Sequence, residues 1–290
     1  IFVTVNGCAF DGYLHLKLIL LHMLELFGYF ASALIGISLG LIGGGGSILT
    51  VPVLVYLFHT DAVLATSYSL FIVGSTSLVG AIPKFRDGLI DFRTALVFGL
   101  PSIVAVYLTR LFLVPAIPAE VTKVGGIVIT KSLFMLLLFA VLMVAAAYSM
   151  IRSNGKAKPS VPRDQRTYNY PVILLEGVVV GTLTGLVGAG GGFLIIPALV
   201  LLSGLPMKEA VGTSLLIIAA KSLFGFVGDL GHYELNWNLL LTVTAIAIGG
   251  IFIGNMMTKK FEGEKLKKGF GWFVLVTGIY IIIKELMGAK

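Results

Sequence analysis

Long apolar stretches alternate with short polar connectors along the whole chain. Eight windows stand out: Leu24 to Ile42, Val63 to Ile82, Phe92 to Val114, Leu133 to Ile151, Val172 to Val187, Met207 to Gly228, Trp237 to Met257 and Phe270 to Met287. A helix needs roughly 20 apolar residues to cross a hydrocarbon core of about 30 Å, and these windows approach or meet that length. They are too many for a signal peptide followed by one anchor. The pattern predicts an all-α polytopic membrane protein.

Composition agrees. Of the 290 residues 57% are hydrophobic and 12% charged, with a mean hydropathy of +1.01. A soluble domain carries roughly 25% charged residues, so most of this surface must face something other than water. The net charge of +7 would suggest nucleic acid in a soluble protein. Here the basic residues cluster in connectors between spans, which has a topological cause, and no nucleic-acid partner is expected. Cys8 stands alone, so it cannot pair within the chain, and a sulfur relay through membrane thiols is disfavoured. Met23 lies just before the first window, and residues 1–23 read as an N-terminal extension.

A repeat organises the rest. GLIGGGGSILTVP at Gly40 to Pro52 returns as GLVGAGGGFLIIP at Gly185 to Pro197, a shift of 145 residues, with seven of thirteen positions identical. Ala65-Thr66-Ser67 then pairs with Gly212-Thr213-Ser214, and Ser77-Leu78-Val79-Gly80 with Ser222-Leu223-Phe224-Gly225. Three matches in one order predict two homologous halves, 24–151 and 171–290, joined by a polar linker at 152–170.

Charge orients the halves. The linker carries Arg152, Lys156, Lys158, Arg163 and Arg166, and the connector Pro83 to Arg93 carries Lys84, Arg86 and Arg93. Both are expected in the cytoplasm, since basic loops remain inside. The second-half counterpart of that connector, Asp229 to Asn236, has no Lys or Arg, whereas Thr258 to Gly269 has five lysines. Opposite bias in equivalent loops is what inverted-topology repeats predict. Parity then requires Pro171 to Ser203 to enter and leave on one side. Its 33 residues span about 50 Å as helix, against roughly 60 Å for two crossings. A broken hairpin is expected there and, by symmetry, at Leu24 to Phe58. Each half would hold one such hairpin plus three transmembrane helices.

Four consecutive glycines, Gly43 to Gly46, disfavour a continuous helix at roughly 1 kcal/mol each. Pro52 and Pro197 are best tolerated in a first helical turn. Each break therefore predicts an unwound stretch of several residues followed by a short half-helix. Irregular backbone at membrane depth survives where protein buries it or where it lines a cavity. Its free N–H groups and the positive end of the half-helix could hold an anion. The candidate binding residues are Gly43, Gly44, Gly45, Gly46 and Ser47 in one break, and Gly188, Ala189, Gly190, Gly191 and Gly192 in the other. Close helix packing is the competing use of the glycines. A nucleotide loop is excluded, because neither run is followed by Gly-Lys-Ser/Thr or completes GxGxxG.

Thr66, Ser67, Thr213, Ser214 and Ser222 add neutral donors on the next span of each half. Lys221 adds a charge about 10 Å inside its helix. An intramembrane cation is a functional-site hypothesis by default, with snorkelling as its alternative. His15, His22, His59 and His232 show no metal spacing, and His59, Asp61, Asp229 and His232 fall at span ends, where solvated residues are expected. No enzyme constellation and no cofactor site emerge.

The doubled Gly-rich/Pro signature with its trailing Gly212-Thr213-Ser214 resembles the sulfite exporter TauE/SafE family, also called the toluene sulfonate uptake permease family, from about Leu24 to Leu286. The resemblance implies a multi-pass inner-membrane carrier for sulfur-containing anions such as sulfite, sulfoacetate or related organosulfonates. Lys221, where the family often has a neutral polar residue, and the longer segment Glu120 to Lys131 depart from its pattern. The expected function is secondary transport of a small anion by alternating access, with a proton or other ion as the coupling partner to be tested. A passive anion channel and a non-transporting membrane component that binds a partner are the alternatives.

Overall fold

The computed structural model describes residues 5–124, 127–152, 170–201, 204–257 and 263–288. The linker expected at 152–170 thus lies outside the described residues except at its ends, as do residues 258–262 of the lysine-rich loop.

All eight apolar windows form helices long and apolar enough to cross a membrane. Helix α1 (Val5–Ile42) runs continuously through residues 5–22 into the first span, Met23–Ile42. It stops at Gly43, whose φ of 73° and ψ of −134° lie in a region that only glycine enters readily. The chain does not then unwind for several residues, as expected. It resumes at once as a 3-10 turn, Gly44–Leu49, and passes into α2 (Thr50–Tyr56). The tighter turn lets small residues continue the path without an α-helix. After a reversal at His59 (φ 51°), the Asp61 carboxylate accepts from the Val63 and Leu64 N–H groups and starts α3 (Ala62–Arg86).

Helix α4 (Phe92–Leu108) continues through a π-helical turn, Thr109–Leu113, into the short α5 (Val114–Ala116). In that turn the Val114 N–H donates to the Thr109 carbonyl, five residues back. Pro115 follows and has no N–H to give, which favours a widened turn over a regular one. Residues Glu120–Val124 (β1) and Ile127–Thr130 (β2) then form an antiparallel hairpin, closed by the Lys131 N–H on the Ala119 carbonyl. Apart from this small sheet the described residues form a helical protein, consistent with the all-α polytopic expectation. The sheet occupies the segment that reads as unusually long.

After α6 (Lys131–Arg152), the second half follows a similar course: α7 (Tyr170–Val187), a break at residues 188–191, α8 (Gly192–Leu201), α9 (Met207–Asp229), α10 (Trp237–Met257) and α11 (Gly263–Gly288). Pro52 sits in the first turn of α2 as expected. Pro197 does not, being the sixth residue of α8, where it leaves the Phe193 carbonyl without its usual donor.

The helices pack in a pattern that survives exchange of the two halves. Helix α1 packs on α10 and α7 on α4; α3 packs on α9 and α6 on α11; α4 meets α9 as α3 meets α10. Helices α3 and α9 are the most enclosed, with 72% and 67% of their spanning windows buried, against 22% for the window at Gly269–Met287. The perimeter is apolar. On α4, Phe92, Leu96, Leu100, Val104 and Leu108 face outward at four-residue spacing, while Thr94 and Ser102, and Thr109 at the start of the π-helical turn, are buried. That polarity, apolar outside and hydroxyls inside, suits lipid as solvent.

Candidate functional site

The two glycine breaks meet each other. A Cβ on Gly44 would lie 2.1 Å from Gly192 Cα, and one on Gly192 would lie 2.0 Å from Gly44 Cα. Only two glycines permit that approach. Around this contact Ile48 and Val51 of the first hairpin share a core with Val187, Ala189 and Phe193 of the second. A Cβ on Gly190 would meet Val73 Cγ1 at 2.5 Å and Ser47 Cβ at 3.4 Å.

The breaks differ in build. In the first, Gly46 packs on α1, where a Cβ would fall 2.4 Å from the Leu39 nitrogen. The Ser47 hydroxyl is occupied, donating to the Gly44 carbonyl at 2.7 Å. Gly45 is less confined, since its nearest contact would be Ile42 Cγ2 at 3.0 Å. The second break is unwound, with Gly188, Gly190 and Gly191 at φ of 70°, 62° and 68°. The Gly191 carbonyl accepts from Leu194 and Ile195, so α8 begins here with the first-turn N–H groups that any helix leaves without an intrahelical partner.

Lys221 closes this second break. It is 1% exposed, so its ammonium does not snorkel to water. Nζ donates to Thr184 Oγ1 at 2.8 Å, and a Cβ on Gly191 would lie 2.7 Å from Nζ. Thr184 in turn donates to the Gly181 carbonyl at 3.2 Å. Among the described residues no carboxylate forms an ion pair with Lys221. An enclosed ammonium beside a helix start, with one hydroxyl as partner, presents positive potential toward the break.

The predicted hydroxyls divide. Thr66 packs on the second break, where a Cβ on Gly188 would fall 2.4 Å from its own Cβ, and Ser67 is buried beside it. Ser222 is buried next to Lys221, its hydroxyl without a hydrogen-bond partner. Thr213 and Ser214 lie two turns away. Thr213 Oγ1 accepts the Asp91 N–H at 2.9 Å, tying α9 to the start of α4, and Ser214 donates to the Val211 carbonyl. Thr213 acts in helix connection and Ser214 bonds within its own helix, so neither hydroxyl is directed to Lys221.

Two further charged residues enter the interior. Arg110, on the π-helical turn, is fully buried and donates through Nη1 to Thr66 Oγ1 at 3.0 Å and to Asp229 Oδ2 at 3.2 Å. Asp229, expected in solvent, is 1% exposed as the last residue of α9. Burial of the guanidinium demands a counter-charge, and Asp229 supplies it. His59, Asp61 and His232 are exposed as expected. Burial and the nearby carboxylate of Asp229 hold the Tyr233 hydroxyl above the ordinary phenol range, so a neutral phenol borders the pair.

The sequence profile described as "Sulfite exporter TauE/SafE" matches residues 29–281. The chain belongs to the sulfite exporter TauE/SafE family. Curated relatives match most of the chain. A "Probable membrane transporter protein" of Xylella fastidiosa (strain 9a5c) is 28% identical over 256 residues, 87% of this chain and 92% of the relative. The "Probable membrane transporter protein YunE" of Bacillus subtilis is 29% identical over 263 residues, 85% of this chain and 93% of the relative. No solved structure matches. This TauE/SafE chain is therefore a multi-pass membrane transporter protein by family.

Within the TauE/SafE framework, sequence reasoning missed Arg110, Asp229 and Thr184. The rule that singles out Lys221, a cation inside an apolar window, applies equally to Arg110 four residues from Val114. Thr184 carries no signal in the sequence, because its role depends on α7 lying beside α9. The repeat also shows an asymmetry. A shift of 145 residues aligns Ser222 with Ser77, and so places Thr76 opposite Lys221. One half has a buried hydroxyl where the other has a buried cation.

Proposed function

We propose that this TauE/SafE protein is a secondary transporter of a small sulfur-containing oxyanion, sulfite or an organosulfonate, working by alternating access between two inverted halves. The reading is carried by one observation: Lys221 is enclosed against the second glycine break with no carboxylate paired to it among the described residues. An anion is the partner that offsets such a charge. The small residues at Gly188 to Gly192, the α8 start and the buried Ser222 hydroxyl would complete an oxyanion site of neutral donors around one cation. The family description supports a sulfur oxyanion. Packing that survives exchange of the halves, and opposite loop charges, support an inverted repeat with the linker 152–170 in the cytoplasm and the chain in the inner membrane. Alternating access then moves one half against the other around the contact of the two breaks.

Purified protein in proteoliposomes loaded with unlabelled sulfite should take up external ³⁵S-sulfite by saturable exchange, with no single-channel currents. Discrete currents with unsaturable flux would assign a channel instead. Absence of both would remove transport of this anion from consideration.

A further inference from the structure

Lys221 is not alone in flanking the second break. Lys221 abuts its end at Gly191, and Arg110 abuts its beginning through two neighbours. Thr66, which accepts from Arg110, packs on Gly188, and Thr109, adjacent in sequence to Arg110, packs on Gly185, where a Cβ would fall 2.9 Å from the Thr109 Cβ. Asp229 and Lys221 share α9 eight residues apart, about 12 Å along its axis. The buried interior therefore holds two cationic points flanking the glycine break, Lys221 on α9 and Arg110 on the π-helical turn beside the Asp229 end of α9.

The hydrogen bonds of Arg110 are incomplete in a particular way. Its guanidinium is fully enclosed, yet only Nη1 is engaged, by Thr66 and Asp229 together. Nε and Nη2 are buried without a hydrogen-bond partner. Those two nitrogens form the side edge of the guanidinium, whose parallel N–H bonds fit two oxygens of a carboxylate, sulfonate or similar oxyanion. A carboxylate serving only to neutralise buried Arg110 would gain most by docking on that edge. Asp229 instead reaches the far nitrogen and leaves the edge open.

We propose that the Nε/Nη2 edge of Arg110 is a second oxyanion-binding station on the transport path, distinct from Lys221. It rests on the reading above that the protein carries a small oxyanion. Asp229 neutralises the guanidinium when the station is empty, so an anion there is held by paired hydrogen bonds against a nearby negative charge. Such a station binds more weakly than Lys221 and releases faster. It lies toward the end of the molecule where Asp61, Ser132 and Tyr233 also gather. Ser132 donates to Asp61 there, and Tyr233 feels the charges of Asp229, Arg110 and Asp61. An anion moving along α9 from Lys221 toward that end meets Arg110.

Equilibrium dialysis of the purified full chain with ³⁵S-sulfite under nitrogen tests the proposal. Wild type should bind two sulfites per chain, one tighter than the other. Arg110→Lys keeps a charge and a donor for Asp229 but has no side edge, and it should bind one, at the Lys221 site. Lys221→Met should bind one, at the weaker site. Asp229→Asn, which leaves the edge intact and removes the competing charge, should tighten the weaker site on the order of tenfold. The two variants perturb the buried pair from opposite sides, and either one that folds gives an answer. One sulfite per chain in wild type, lost in Lys221→Met and unchanged in Asp229→Asn, overturns the second station and leaves the transport reading standing. Two sulfites retained by folded Arg110→Lys overturn it as well. No saturable sulfite binding to wild type overturns the transport reading for this anion, and the station with it.

Discussion

Lys221→Met should move stability and affinity in opposite directions. The substitution removes the ammonium and roughly keeps the length of the side chain. A buried charge without a counter-charge costs several kcal/mol, and among the described residues its compensation is the bond to Thr184 Oγ1. That bond contributes roughly 1.5–3 kcal/mol as a charge-assisted one. Thr184 keeps its own bond to the Gly181 carbonyl, so the variant leaves no orphaned hydroxyl donor. The anion-free protein should therefore be stabilised, by on the order of 2 kcal/mol. Sulfite loses a charge-assisted partner worth about 1.5–3 kcal/mol, which raises Kd roughly 10- to 100-fold. Intrinsic tryptophan fluorescence reports both effects in one titration. Trp237 packs edge-on against Phe71 and Phe226, and unfolding must disrupt that cluster. Melting without sulfite should rise while the sulfite-induced shift shrinks. A lower melting temperature together with an unchanged sulfite Kd would refute the reasoning and make Lys221 a packing residue.

The glycines are not interchangeable. Gly191→Ala places a Cβ 2.0 Å from Thr184 Cγ2 at a φ of 68°, so it should abolish ³⁵S-sulfite exchange and lower melting, whereas Gly45→Ala should keep exchange within about twofold; equal losses in both would contradict this assignment. For the buried pair, Asp229→Ala should destabilise by about 3–5 kcal/mol and the double variant Arg110→Met/Asp229→Leu by much less. Denaturation of the three proteins checks this, and a double variant as unstable as the single one would count against it. On a Cys8→Ala background, an impermeant thiol reagent on intact cells should label Gly231→Cys and not Ser160→Cys. The reverse pattern would overturn the topology.

The fold was legible wherever hydropathy alone decides the outcome. All eight spans follow from apolar length, because lipid leaves the backbone few other options. The breaks were located by Gly43 and Gly188, but their conformations were not. Four glycines at Gly43 to Gly46 suggested more unwinding than occurs, since glycine permits several paths and the packing of Gly46 on α1 selects the 3-10 one. Pro197 misled for a similar reason: the three left-handed glycines before it end at Gly191, so α8 starts five residues earlier. The candidate site was half legible. Lys221 announces itself by charge. Arg110 announces itself equally, yet its partner Asp229 looks like a loop residue until α4 and α9 are placed side by side.

The exchange of packing partners between halves sets a timetable for synthesis. Gly36 and Gly40 of α1 lie against the backbone of Ala247 and Ile251 on α10. The ribosome makes that partner only after about 200 further residues, roughly 10–40 s later at ordinary elongation rates. Until then the glycine face of α1 waits in the bilayer without its groove. Helix α7 has no such delay, because α4 is already complete when it emerges. The first hairpin is therefore the vulnerable one during biogenesis. Slowing elongation between α6 and α10 should lower the yield of folded protein more than the same delay placed after α10, and a membrane chaperone would find its client surface on α1.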